Sequence, residues 1–169
     1  AHHAQRQATA RLRGLPVDEL ETPKVERSLQ EDAGLAIAAC FYWTRRLEAY
    51  VRAGDYAHAL EMKARAEQVL WTIPTFFEIA DYHFYGALAH SGAWDAAYIR
   101  DASAHRDALV SHREQLAVWA RDCMVTFGCR ESLASAELAR IENRELDAER
   151  LYEEAIRGAH AAGAVNVEA

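Results

Sequence analysis

The chain has 169 residues, of which 51% are hydrophobic and 27% charged, and its formal net charge is −7. This apolar content excludes a disordered chain, and the acidic balance argues against nucleic acid or an anionic membrane as a partner. The length suits one ordinary domain with its own core.

Cysteine use and hydropathy indicate the compartment. The chain has 3 cysteines, too few for a disulfide scaffold, which is typical of a reducing environment. The longest nearly uncharged run, 33–44, is too short to span a bilayer, and the polar, basic start does not resemble a signal peptide. We therefore expect a cytoplasmic protein that does not associate with membranes.

Two regions are distinguished along the chain. Residues 1–23 are predicted to hold the end of an incoming helix and a linker, because Pro16 and Pro23 favour extended backbone. Residues 24–169 are predicted to form a helical domain, and since the sequence stops in a helix-forming stretch we expect a fragment of a longer protein.

Ala, Leu, Glu and Arg dominate the composition, and alternating strand patterns bounded by turn residues are not found. Apolar residues recur at helical spacing between Gly, Pro and Asn breaks. The predicted helices span 24–32, 35–53, 55–70, 75–90, 96–121, 130–142 and 145–162, with a loop over 123–129.

A spacing recurs at three predicted helix joints. A turn residue is followed five positions later by alanine each time: Gly54 and Ala59, Gly92 and Ala97, Asn143 and Ala148. Ala66 and Ala155 repeat alanine seven positions further on in two of the three. A small side chain is required where two helices of a hairpin cross closely, so this spacing predicts antiparallel hairpins.

The repeated hairpin resembles the tetratricopeptide repeat, a helix–turn–helix unit of about 34 residues. Trp43 and Tyr50 match the aromatic positions of its first helix, whereas Arg46 and Lys63 depart from the pattern. The resemblance implies an all-α fold of antiparallel helical hairpins, stacked as a short, irregular, right-handed solenoid.

A closer resemblance rests on particular phrases. They are AGDYA at 53–57, LWTIP at 70–74, EIADYHFYGALA at 78–89, QLAVWA at 115–120, ASAEL at 134–138 and LDAERLYEEAI at 146–156. Together they resemble the helical-repeat region of large bacterial signalling proteins. Those proteins carry a serine/threonine-kinase-like domain, a predicted ATPase module, this region, a GAF domain and a sensor histidine kinase. The resemblance implies a scaffold between the ATPase and the sensor domains.

Catalytic and metal-binding motifs are not found. The glycine-rich phosphate loop and the Gly-x-Ser-x-Gly nucleophile motif do not occur. His105 and His112 share a helix face, but no metal-ligand spacing accompanies them. Cys40 lies in an apolar helix and should be an inert buried thiol. We therefore expect no enzyme activity, no cofactor and no metal.

The leading functional hypothesis is a groove that binds protein: a neighbouring domain, a sister subunit or a peptide. The candidate groove residues are Arg46, Tyr50, Glu78, Tyr82, His83 and Tyr85. Exposed solenoid ends, near Val165 especially, are expected to allow a homodimer. The alternative is a small-ligand sensor whose aromatic pocket lies at 76–85, although aromatic stripes at helical spacing more often pack in a core.

Overall fold

The computed structural model describes residues 22–96 and 99–163, and every regular element within them is helical, which confirms the all-α fold class. These residues hold seven α-helices. They are α1 (Thr22–Glu31), α2 (Ala36–Arg52), α3 (Tyr56–Val69), α4 (Glu78–Ala96), α5 (Ile99–Asp122), α6 (Met124–Ile141) and α7 (Glu145–Ala162). Short 3-10 helices cover Ala33–Leu35 and Leu70–Thr72. The chain divides into two compact units at Tyr82 and His83, within α4.

The first unit is built on the α2–α3 hairpin. Gly54 makes the turn with φ +71°, a left-handed conformation that favours glycine, and Asp55 caps α3 by accepting from the His58 backbone N–H at 3.3 Å. Ala59 and Ala66 are fully buried, as the spacing predicts. These small side chains let the two helices approach closely.

The second unit contains the matching α6–α7 hairpin. Asn143 turns the chain with φ +57°, and Ala148 and Ala155 are buried, again as predicted. A Cβ placed on Gly158 would lie 3.2 Å from the Cβ of Cys129, so this crossing tolerates little more than hydrogen. Both hairpins therefore follow the same rule of a short turn and small crossing residues.

A polar network ties three helices of the second unit together. The Glu137 carboxylate on α6 accepts from Ser91 Oγ on α4, from the Tyr152 hydroxyl on α7 at 2.6 Å, and from Arg140 Nε at 3.0 Å. Arg140 also pairs with Asp95 at 3.0 Å. Because Ser91 is fully buried, its satisfied hydroxyl holds α4 against α6.

The predicted joint at Gly92 is wrong. Ser91 and Gly92 lie inside α4, which continues to Ala96 instead of ending near 90. Glycine in a helix interior costs only about 1 kcal/mol relative to alanine. The buried network of Ser91 offsets that cost, so the helix passes through the glycine. Ala97, the alanine of this joint, lies outside the described residues.

The predicted loop over 123–129 is also wrong, because α6 begins at Met124. The Phe127 ring lies 5.8 Å from the Trp119 ring of α5, and Gly128 is buried beneath Met124. Packing of Phe127 and Gly128 therefore stabilises the first turn of α6, although the local sequence has only a weak helix propensity. Neither residues 1–21 nor Val165 belongs to the described residues, so the predicted linker up to residue 21 and the exposed end lie outside them.

None of the helices described for this chain combines the length and the apolar character needed to cross a bilayer.

Candidate interaction site

The first unit concentrates polar side chains around the carboxylate of Glu26 on α1, which we call the Glu26 site. The Tyr42 hydroxyl donates to Oε1 at 3.1 Å, and Arg65 Nη1 donates to Oε2 at 3.4 Å. Arg46 Nη2 lies 3.8 Å from Oε1. Two cations and one hydroxyl from the α2–α3 hairpin thus surround one carboxylate of α1.

The spacing along α2 explains how this site is built. Tyr42, Arg46 and Tyr50 are separated by four residues each, so they form one row on the helix surface. Arg46 Nη2 donates to the Tyr50 hydroxyl at 2.7 Å, and its guanidinium carbon lies 4.9 Å from the centre of that ring. Contact with Tyr50 fixes the direction in which Arg46 presents its charge.

Arg65 is positioned in a comparable way from α3. Its guanidinium carbon lies 4.8 Å from the centre of the Trp43 ring, an arrangement in which the cation is attracted by the face of the indole. Trp43 is buried, and the Arg65 side chain is 35% exposed. Arg65 is thus the more accessible of the two arginines, since the Arg46 side chain is only 10% exposed.

The titration of Tyr42 indicates what the site can do. Burial raises the pKa of the Tyr42 phenol to about 12, an effect that Arg46 opposes and Glu26 reinforces. A phenol with this pKa keeps its proton near neutral pH, so it serves as a hydrogen-bond donor and not as a general base. The Glu26 site therefore consists of charge-assisted contacts from Tyr42, Arg46 and Arg65 to one carboxylate.

Glu78 and Tyr82 belong to the first turns of α4 and lie in the first unit. Tyr82 is buried, and Lys63 Nζ lies 5.9 Å from the centre of its ring. Burial, followed by the nearby Glu67, raises the pKa of Tyr82. Glu78 is half-buried. Tyr82 thus contributes to the packing of α4.

His83 and Tyr85 lie in the second unit. His83 Nδ1 is 3.1 Å from His112 Nδ1, and Tyr85 is buried with its ring 5.1 Å from that of Phe84. Of the six candidate groove residues, Arg46 and Tyr50 are shown in direct contact with each other. A partner groove formed by all six stays a prediction.

The aromatic residues at 76–85 fall into two groups. Phe76 and Phe77 precede α4 and are 46% and 50% exposed, with the Phe76 ring 5.6 Å from that of Phe41. Tyr82 and Tyr85 are each 2% exposed. The ligand pocket proposed for this segment stays a prediction, and the buried members are accounted for by packing.

Sequence reasoning missed Glu26 and Arg65. Neither residue belongs to a motif, and they meet only because α1 folds onto a hairpin that follows it in the chain. The one available signal was the row of Tyr42, Arg46 and Tyr50, where a buried cation on a helix face requires an acceptor.

Within the described residues, no three His, Cys, Asp or Glu side chains are arranged to share a metal ion. No protein-family model, curated protein or solved structure matches this chain.

Proposed function

We propose that this chain is a non-catalytic protein-interaction scaffold that recognises a carboxylate presented by a partner helix. Its hairpins would stack as a short, irregular, right-handed solenoid of the tetratricopeptide type. Two buried-alanine hairpins support this proposal, α2–α3 in the first unit and α6–α7 in the second. In such arrays each hairpin leaves one face for recognition.

The observation that carries the proposal is the Glu26 site. Helix α1 is joined to the hairpin through the Glu26 carboxylate, which contacts Tyr42, Arg46 and Arg65. Contacts of this kind would let a hairpin face select a helix that presents a carboxylate. We infer that an acidic helix of a neighbouring domain or sister subunit binds the same face in place of α1.

The proposed biological setting rests on the sequence resemblance. The proteins that those sequence phrases resemble carry kinase-like and ATPase modules together with GAF and histidine-kinase sensor domains. We propose that the chain occupies that position in a bacterial, cytoplasmic signal-transduction protein. A scaffold there would transmit changes between modules by exchanging helices on its hairpin faces.

Peptide binding tests the proposal. The probe is a fluorescein-labelled peptide with the sequence of residues 22–31, and fluorescence anisotropy measures its affinity for the full chain. Glu26→Gln in the chain weakens the contacts that hold its own α1, so we expect the peptide to bind roughly fivefold more tightly than to the unsubstituted chain, as about 1 kcal/mol of ion pairing implies.

Two further variants give the control and the decisive comparison. Adding Arg65→Gln to the Glu26→Gln chain should cancel the gain in peptide affinity, because the hairpin face then loses its accessible cation. Arg157→Gln removes an exposed arginine that pairs with Glu153 at 3.4 Å on α7 and should leave binding unchanged. Equal peptide affinity with and without Arg65 would overturn the assignment of this face.

A further inference from the structure

Four histidines line the contact between α4 and α5 in the second unit. His83 Nδ1 lies 3.1 Å from His112 Nδ1, and His90 Nδ1 lies 3.0 Å from His105 Nδ1. The rings of His90 and His112 are stacked, with centres 5.8 Å apart and planes inclined by 30°. We call these four residues the histidine row, which consists of two nitrogen-to-nitrogen pairs joined by a ring contact.

A nitrogen-to-nitrogen contact of this length limits the protons that a pair can hold. One ring donates its Nδ1–H, and the other ring accepts through an unprotonated Nδ1. The pair is therefore intact when both rings are neutral, and it stays intact when the donor ring gains a second proton on its Nε2. When both rings are charged, both Nδ1 atoms carry a hydrogen and the contact is lost. Each pair thus accepts at most one added proton without opening.

Burial leaves little room for charge in the histidine row. His112 is 6% exposed, and a Cβ on Gly86 would lie 2.8 Å from both Cε1 and Nε2 of the His112 ring. This ring therefore lies directly against the backbone of α4. His83 packs against Trp119, whose ring centre is 5.5 Å away. An imidazolium in such surroundings loses the hydration that stabilises it in the unfolded chain.

Charged side chains of α5 and α6 flank the histidine row. Each either neighbours a row histidine in the chain or contacts a residue that does, and they are Arg106, Arg113, Arg130, Glu137, Arg140 and Glu142. Both glutamates bind an arginine: Glu137 accepts from Arg140 Nε, and Glu142 accepts from Arg106 Nε, each at 3.0 Å. With four arginines and two glutamates, the flanking groups carry a net positive charge, which opposes protonation of the row.

We propose that the histidine row is an acid-sensitive latch, which holds α4 against α5 at neutral pH and releases it when both rings of a pair are charged. Histidine is the side chain whose charge ordinarily changes in this range. The unfolded chain protonates its imidazoles near pH 6.5, whereas each folded pair takes up at least one proton fewer. Because the unfolded chain then binds more protons, stability falls as pH falls. Between pH 7.5 and 5.5, the unfolding constant should rise roughly tenfold for each pair, or about a hundredfold in all.

Urea unfolding of the full chain at pH 7.5 and 5.5, followed by circular dichroism, tests the proposal. The double variant His83→Gln and His105→Gln leaves one ring in each pair, facing a neutral amide that can donate or accept. Most of the hundredfold acid response should then disappear. His58→Gln is the matched control, at an exposed histidine that pairs with Asp55, and should keep the response of the parent chain. An acid response of equal size in the parent and the double variant would overturn the proposal.

Hydrogen exchange of the parent chain supplies a readout that needs no variant. After correction for the intrinsic pH dependence of amide exchange, the amides of α5 should lose protection at pH 5.5 relative to pH 7.5. The amides of α2, in the first unit, should keep theirs. Equal changes in α5 and α2 would mean general unfolding in acid and would rule out a latch. This comparison decides the matter if the double variant does not fold.

Discussion

Arg65 and Glu26 are 39 residues apart in the chain, yet Arg65 Nη1 donates to Glu26 Oε2 at 3.4 Å. This contact joins α1 to the second helix of a hairpin that α1 precedes. It places the Glu26 carboxylate on the face of the α2–α3 hairpin, where Tyr42 and Arg46 also contact it. The proposed recognition of acidic helices rests on this relationship.

Alkaline pH should destabilise the first unit through Tyr42. Its pKa is raised from 10.0 to about 12 in the folded chain, so the unfolded chain loses this proton first. The contribution of Tyr42 to the free energy of unfolding is fully present below pH 10. It falls by about 2–3 kcal/mol as the pH rises from 10 toward 12. Urea unfolding at pH 9, 10 and 11 should show a shallower decline for Tyr42→Phe. An identical decline in both chains would contradict this assignment.

Enlarging a crossing alanine should destabilise the chain. Ala59 is fully buried at the α2–α3 crossing, so Ala59→Leu should lower the free energy of unfolding by about 1–3 kcal/mol through overpacking. Ala57→Leu is the matched control, because Ala57 lies on the exposed side of the same helix. Urea denaturation measures both variants, and equal stability of the two would refute the close crossing.

The network around Glu137 should be sensitive to the loss of its acceptor. Glu137→Ala leaves the buried Ser91 hydroxyl and the Tyr152 hydroxyl without this carboxylate, at an expected cost of about 2–4 kcal/mol. Tyr152→Phe removes one hydrogen bond and should cost about 1 kcal/mol. Thermal unfolding measures the stability of both variants. Glu153→Ala is the neutral reference, because Glu153 belongs to an exposed ion pair with Arg157. A smaller effect for Glu137→Ala than for Tyr152→Phe would be inconsistent with this network.

Thiol reactivity should separate the 3 cysteines. Cys123 is exposed and its pKa is lowered by hydrogen bonding to Thr126, so it should react first with a disulfide reagent. Cys40 is buried, which raises its pKa to about 11, and Cys129 is buried as well. One fast thiol is expected at pH 7.5, and Cys123→Ser should remove it. Rapid labelling that persists in Cys123→Ser would disprove the ordering.

Local rules predicted much of the fold. The bounds of α2, α3 and α7 follow from apolar spacing and turn residues, and the buried positions of Ala59 and Ala148 follow from a steric requirement at each hairpin. Both rules involve residues that are close in sequence. Contacts of such short range can be predicted from the sequence alone.

The errors occur where distant contacts override local preference. Gly92 is helical because the neighbouring Ser91 bonds to Glu137, 46 residues away. Glu26 and Arg65 have no local signature, and the contact of His83 with His112 requires the register of α4 against α5. Composition and spacing do not encode these relationships, so the Glu26 site could be predicted only in part, through Arg46 and Tyr50.

A charge exchange at the Glu26 site tests the central claim most directly. Two versions of the 22–31 peptide, one with Glu26 and one with Glu26→Lys, are titrated against the Glu26→Gln chain with and without Arg65→Glu. Fluorescence anisotropy gives the ratio of the two affinities in each chain. The account predicts that Arg65→Glu shifts this ratio toward the lysine peptide by roughly fivefold or more, as about 1 kcal/mol of direct pairing requires. A ratio that does not change when the charge at position 65 is reversed would contradict recognition of the carboxylate by this face.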